Sequence, residues 1–102
     1  MDRVLIEVPD RNDSLSRVVL SGKQYLIRFS YILSYDYWTF GLYTILQDPI
    51  LIGAKILPRF PLTAYCSRPG MPGGAFGVFT KLEHIGRAAF RDGNAEFAYI
   101  TG

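Results

Sequence analysis

Lys23-Gln24-Tyr25-Leu26-Ile27-Arg28-Phe29-Ser30-Tyr31-Ile32-Leu33-Ser34 is the stretch that decides the fold. In an extended chain Tyr25, Ile27, Phe29, Tyr31 and Leu33 share one face. Leu26, Arg28, Ser30, Ile32 and Ser34 take the other, because successive side chains of a strand alternate. On the N-terminal side, Ser21-Gly22 is a tight hairpin signal, and Leu15 to Leu20 reads as the strand before it. On the C-terminal side, Ser34-Tyr35-Asp36 makes a turn. A long strand from Tyr37 to Leu46 follows, with Trp38, Phe40, Leu42 and Leu46 on one face and Tyr37, Tyr43 and Ile45 opposite. Apolar residues on both faces predict a central strand, or one covered on its second side by another chain. Gly41 in its middle predicts a bulge or sharp bend.

The outer segments repeat the pattern. Val4, Ile6 and Val8 alternate with Arg3, Leu5 and Glu7 until Pro9, and Asp10 to Ser14 reads as a turn. Gln47-Asp48-Pro49 is a turn, and Ile50 to Leu57 is a fifth strand containing Gly53. Pro58 and Pro61 stop regular pairing. Phe60 to Tyr65 is a helical turn or an irregular crossover, and Ser67 to Gly74 is a long Pro- and Gly-rich loop. Phe76 to Leu82 returns to strand, Glu83 to Arg91 is ambiguous, Asp92-Gly93 is a turn, and Ala95 to Thr101 closes the chain. The expected fold class is all-β: a small antiparallel barrel or two-layer sandwich of about seven strands, with residues 1–102 forming a single domain.

Composition agrees with a folded core. Apolar residues make up 49% of the 102, with seven Tyr, seven Phe and one Trp, which argues against intrinsic disorder. The formal charge is only +2, less than the basic excess usual in a dedicated nucleic-acid binder. Between Asp48 and Glu83 the charged residues are Lys55, Arg59, Arg68 and Lys81, all basic, and they read as a solvated surface. A β-barrel nucleic-acid-binding module using these four is the alternative function. Tyr25, Phe29, Tyr31, Tyr37 and Tyr43 as a base-stacking platform would need more basic neighbours than Lys23 and Arg28. Nucleic acid is therefore not expected as the partner.

Cys66 is the lone cysteine, so no internal disulfide and no single-chain cysteine zinc site is expected, in keeping with assembly in a reducing cytoplasm. No signal peptide is visible. No apolar run reaches the roughly 18 residues of a membrane span, so no membrane is expected. His84 is the only histidine and reads as a strand end or exposed turn. Asp10 with Asp13, and Asp36 with Asp48, sit in turn signals, where Asp is ordinary. Gly70 to Gly77 lacks the Lys-Ser/Thr of a phosphate loop. A hydrolase around His84 or Cys66 is the weakest alternative. No catalytic, cofactor-binding or metal residue is assigned, and the chain is expected to bind proteins rather than to catalyse.

The order of elements resembles the baseplate plug proteins of contractile-tailed phages. The residues that carry the likeness are Val4-Leu5-Ile6-Glu7-Val8-Pro9, the Ser21-Gly22-Lys23-Gln24-Tyr25 hairpin with Leu26-Ile27-Arg28-Phe29, and Trp38-Thr39-Phe40-Gly41-Leu42-Tyr43. Ile50-Leu51-Ile52-Gly53-Ala54-Lys55-Ile56-Leu57 and Ala95-Glu96-Phe97-Ala98-Tyr99-Ile100 complete it. One departure is Gly41, where the resemblance leads one to expect an acid after the aromatic pair. The resemblance implies a virion structural protein of the tail baseplate, assembled in the host cytoplasm. It would plug the distal end of the tail tube, bind hub and tube proteins, and close the lumen before ejection. A homo-oligomer in a symmetric assembly is expected. Contact residues are expected at Tyr31, Tyr37 and Tyr43 on the sheets, and at Arg68, Met71 and Phe76 in and beside the long loop.

Overall fold

A computed structural model of the chain describes residues 2–59, 62, 70 and 72–101, with backbone alone at 2 and 101. Its strands are β1 (Asp2–Ile6), β2 (Asp13–Leu20), β3 (Lys23–Ile32), β4 (Tyr37–Thr44), β5 (Pro49–Lys55), β6 (Ala75–Thr80) and β7 (Ala95–Thr101). They form two antiparallel sheets, one in the order β2-β3-β4-β5 and the other β1-β7-β6. Among the described residues no ladder joins the sheets into a barrel, so of the two expected architectures the sandwich is the one present. Among the described residues there is no helix.

The alternation that predicted β3 is the alternation that builds the core. Tyr25, Ile27 and Phe29 point inward from β3, and Trp38, Phe40 and Leu42 from β4. They meet Phe76, Val78, Phe97 and Tyr99 of the other sheet. Phe97 lies 5.1 Å from Phe29 and 5.0 Å from Phe40, edge-on to both. Phe76 lies 5.3 Å from Phe40 and 5.1 Å from Tyr99. Such offset and edge-on geometries let the positive rim of one ring meet the negative face of another.

Strand ends depart from the expectation. Leu33 and Leu46, placed on the core-facing side by alternation, are 77% and 81% exposed. The reason is local. β3 ends at Ile32 and β4 at Thr44, and the loops beyond them contain Asp36 and Gln47 at positive φ. Leu33 and Leu46 lie in these turns, outside the ladders, where the period of two no longer assigns a face. Conversely Asp13 and Ser14, read as turn, already belong to β2, and the Tyr31 amide extends the ladder by donating to the Asn12 carbonyl at 2.7 Å. Ser21 and Gly22 have φ of 53° and 79°, the type I′ conformation that suits a two-residue hairpin.

β4 is flanked by β3 and β5, as a central strand should be. The bulge expected at Gly41 is present, but its extra residue is on β5. Phe40 pairs with Ala54 and Leu42 with Leu51, so Ile52 and Gly53 together face Gly41. Gly53 takes φ +64°. A second shift, between Leu42 and Tyr43, leaves Ile50 as another extra residue of β5. A Cβ on Gly41 would stand 3.0 Å from the Leu51 carbonyl oxygen and 3.3 Å from the Tyr43 ring. Glycine is therefore what lets Tyr43 fold across β4.

The ambiguous segment after β6 proves to be a run of turns that closes one end of the sandwich, burying Ile85 and Ala89. The Trp38 indole N–H donates to the Gly86 carbonyl at 3.0 Å, and Phe90 packs edge-on against the same ring. At the other end the buried Tyr99 hydroxyl accepts from the Gly74 amide at 2.8 Å and shares a hydrogen bond with Ser21 at 2.7 Å.

Gly74 and Gly73 make a paired test of this end. A Cβ at Gly74 would lie 2.5 Å from the Ile100 carbonyl and 2.6 Å from the Tyr99 ring, whereas one at Gly73 meets nothing within 4 Å. Gly74→Ala is predicted to cost about 1–3 kcal/mol of unfolding free energy by overpacking, measured by urea titration, and Gly73→Ala to cost about 0.5 kcal/mol or less. Phe97→Ala, which empties the meeting point of Phe29, Phe40 and Phe76, is predicted to cost about 3–5 kcal/mol.

Candidate interaction surfaces

The closed end carries a polar cluster. Tyr31, at the end of β3, lies 5.3 Å from Trp38, and its hydroxyl donates a short hydrogen bond to the Asp36 carboxylate. The His84 Nε2 meets the other Asp36 oxygen at 3.0 Å. Beside them the Arg87 guanidinium donates to Asn12 Oδ1 at 2.7 Å and Asp10 Oδ1 at 2.8 Å, and lies 5.4 Å from the Trp38 ring centre. The hydrogen bond from Tyr31, then the one from His84, hold the Asp36 carboxyl below the usual carboxylate range. The same bond to Asp36 pushes the Tyr31 phenol up. These contacts tie the β3–β4 loop and the segment before β2 to the turns of residues 81–94.

A second surface is the outer face of the four-stranded sheet. Arg28 of β3 grips Asp13 of β2 with two parallel bonds, Nε to Oδ1 at 2.9 Å and Nη2 to Oδ2 at 2.8 Å. That bond, followed by one to Tyr43, raises the guanidinium's proton affinity, and the Arg28 hydrogen bond holds the Asp13 carboxyl down. Around the pair lies an open hollow lined by Leu15, Leu26, Tyr43 and Gln47. Both partners are half exposed, so the pair orients side chains more than it stabilises the fold.

The expected contact residues part company here. Tyr31 is engaged with Asp36 and Trp38. Tyr37 is half-buried, with the Lys55 ammonium 4.7 Å from its ring centre and Tyr35 beside it. Tyr43 is half-buried on the outer face over Gly41. Phe76, expected beside the loop as a contact residue, corrects that expectation: its side chain is wholly buried. As the second residue of β6 its alternation phase is inward, against Phe40 and Tyr99. Arg68 and Met71 lie outside the described residues, as does Cys66.

Sequence reasoning missed the exposed apolar side chains at the loops. Leu33 and Tyr35 stand out from the β3–β4 loop, Ile45 and Leu46 from the β4–β5 loop, and Ile52 from the bulge. It also missed Arg87, whose partners Asp10 and Asn12 are distant in sequence.

The family model of the cyanophage baseplate Pam3 plug gp18 matches residues 1–102, the whole of the sequence. The chain belongs to this baseplate plug family. No curated protein sequence matches it. It is accordingly an all-β virion structural protein of the phage tail baseplate. Within this plug family member, the polar cluster and the apolar loops are the surface features to which a baseplate role can be referred.

The cluster sets a pH dependence. Because the Asp36 carboxyl is depressed in the fold, its contribution is fully present above the unfolded-state value of about 4 and is lost as pH falls through the lower folded value. Asp36→Asn is predicted to lower the urea midpoint at neutral pH, with the difference from the native chain shrinking as pH drops below about 4. A difference that stays constant across that range would mean that the carboxylate charge carries no part of the effect.

Proposed function

We propose that this chain is the plug at the distal end of the tail tube, binding hub and tube proteins and closing the lumen until ejection. The observation that carries this reading is the match of the plug family across the entire sequence. The chain acts in this reading through shape and surface, not through a reaction. Several copies sit in a symmetric assembly in the virion, and the parts are put together in the host cytoplasm.

The surface supports the reading. Leu33, Tyr35, Ile45, Leu46 and Ile52 are exposed at loop tips and at the β5 bulge, where they contribute nothing to the core. Covering such side chains on docking is favourable by about 25 cal/mol per Å² of apolar area. Small apolar tips suit a closure that must hold and then yield, because each contact is modest and all are lost together when neighbours move. A part on the axis of a tube must also follow the tube's rotational symmetry. Its copies then meet through two different patches, not one self-complementary patch.

In purified tailed particles, quantitative mass spectrometry is predicted to find this chain at a low, fixed number relative to the tube protein. Leu33→Asp with Leu46→Asp is predicted to leave the isolated fold unchanged by circular dichroism and to reduce incorporation into tails at least tenfold. Absence of the native chain from intact particles would overturn the plug reading.

A further inference from the structure

The four sheet edges of the sandwich are not equivalent. β6 is met along its outer side by the chain leaving β5: the Val78 amide donates to the Arg59 carbonyl at 3.0 Å, and the Leu62 amide to the Phe76 carbonyl at 2.6 Å. β5 begins with Pro49, is bulged twice and ends in Lys55. These are the devices by which proteins blunt an edge against strand addition. β1 is only five residues long. β2 has eight residues in unbroken register with β3, and it holds no Pro, no Gly and no bulge.

The hydrogen-bond phase of β2 follows from its hairpin. Residues that flank a two-residue turn exchange both backbone bonds, and such pairs recur at every second position of an antiparallel ladder. Leu20 with Lys23, Val18 with Tyr25, Ser16 with Ile27 and Ser14 with Phe29 are therefore the bonded pairs, and the Tyr31-to-Asn12 bond continues the series. The amides and carbonyls of Leu15, Arg17 and Val19 point away from β3. Among the described residues no backbone partner meets them. The side chains of the same residues are exposed on the outer face.

Beside this edge runs a groove of about 330 Å³ between β2 and β1, walled by Val4, Leu5, Ile6, Val18 and Val19, with Arg17 and Glu7 at its margins. A strand added to β2 would send alternate side chains into that groove and the others outward, next to Leu15, Arg17 and Val19. Asp13 is already held by Arg28, whereas Arg17 has no ion partner among the described residues. Two copies of β2 paired antiparallel about this stretch would set Arg17 against Arg17, which like-charge repulsion disfavours.

We infer that the β2 edge accepts an extended segment of a different protein as an additional strand. That segment carries apolar residues at alternate positions to fill the β1–β2 groove, and an acid opposite Arg17. The strand-accepting edge exists whatever assembly holds the chain.

The test is amide chemical-shift mapping on the isotope-labelled full chain with two synthetic peptides of about seven residues. Both have Val at alternate positions and Thr between, with Glu at the central residue of one and Lys at that of the other. The Glu peptide is expected to move the amides of residues 13–19 and 4–7, and to bind about two- to fivefold more tightly than the Lys peptide. Arg17→Glu is expected to reverse that order. Arg17→Pro, which removes an amide outside the β3 ladder, is expected to keep the fold and abolish both interactions. Failure of the Glu peptide to bind at millimolar concentration, shifts confined to another edge, or an unchanged order in Arg17→Glu would each overturn the inference. Concentration-dependent shifts at residues 13–19 without peptide would overturn the assigned occupant in favour of a second copy.

Discussion

Phe29 and Phe40 of one sheet meet Phe76 and Phe97 of the other, with ring centres 5.0 to 5.3 Å apart, and Tyr99 extends the cluster from Phe76 within its own sheet. Among the described residues no ladder joins the two sheets, and this aromatic seam packs one upon the other. Each ring pair adds about 0.5–1.5 kcal/mol beyond the area it buries. The constraint reaches outward from there. Tyr99 turns its hydroxyl to Ser21 and Gly74, coupling the β2–β3 turn of one sheet to the chain entering β6 of the other. Trp38 continues the seam to the opposite end and holds the Gly86 carbonyl.

Around that seam the molecule separates holding from contacting. The exposed ion pairs, Arg28 with Asp13 and Arg87 with Asp10, are of the kind worth little individually. They fix the direction of side chains on faces that the core alone would leave free. Gly41 shows the same economy: its missing Cβ lets Tyr43 lie across β4 and reach Arg28. The apolar side chains that escape the core collect at loop tips and along the β2 edge, where β-structure has unused valence for a neighbour. For a baseplate plug family member, such a body lends itself to being held by many modest contacts.

Period-two alternation from residue 23 to 32 and from 37 to 44 made the strands and most of the core legible without coordinates. Side-chain direction in a strand is a local property set by the chain's own pleat, so Tyr25, Ile27, Phe29, Trp38, Phe40 and Leu42 could be read directly. Ser21-Gly22 was legible for the same reason, since positive φ at two adjacent residues restricts the residue types there. The family likeness followed from the order of these local elements.

Tertiary structure alone decided the rest. Whether the strands close into a barrel or split into two sheets depends on pairings between residues far apart in sequence, such as Asp2 with Thr101, and alternation carries no information about partners. That Phe76 faces inward, that the extra residues at the bulge belong to β5, and that Leu33 and Leu46 face solvent all depend on where a ladder starts and stops. The site was least legible, because a contact surface consists of what the core leaves uncovered. Which edge is longest and most regular is settled only once every strand has found its partners, its bulges and its ends.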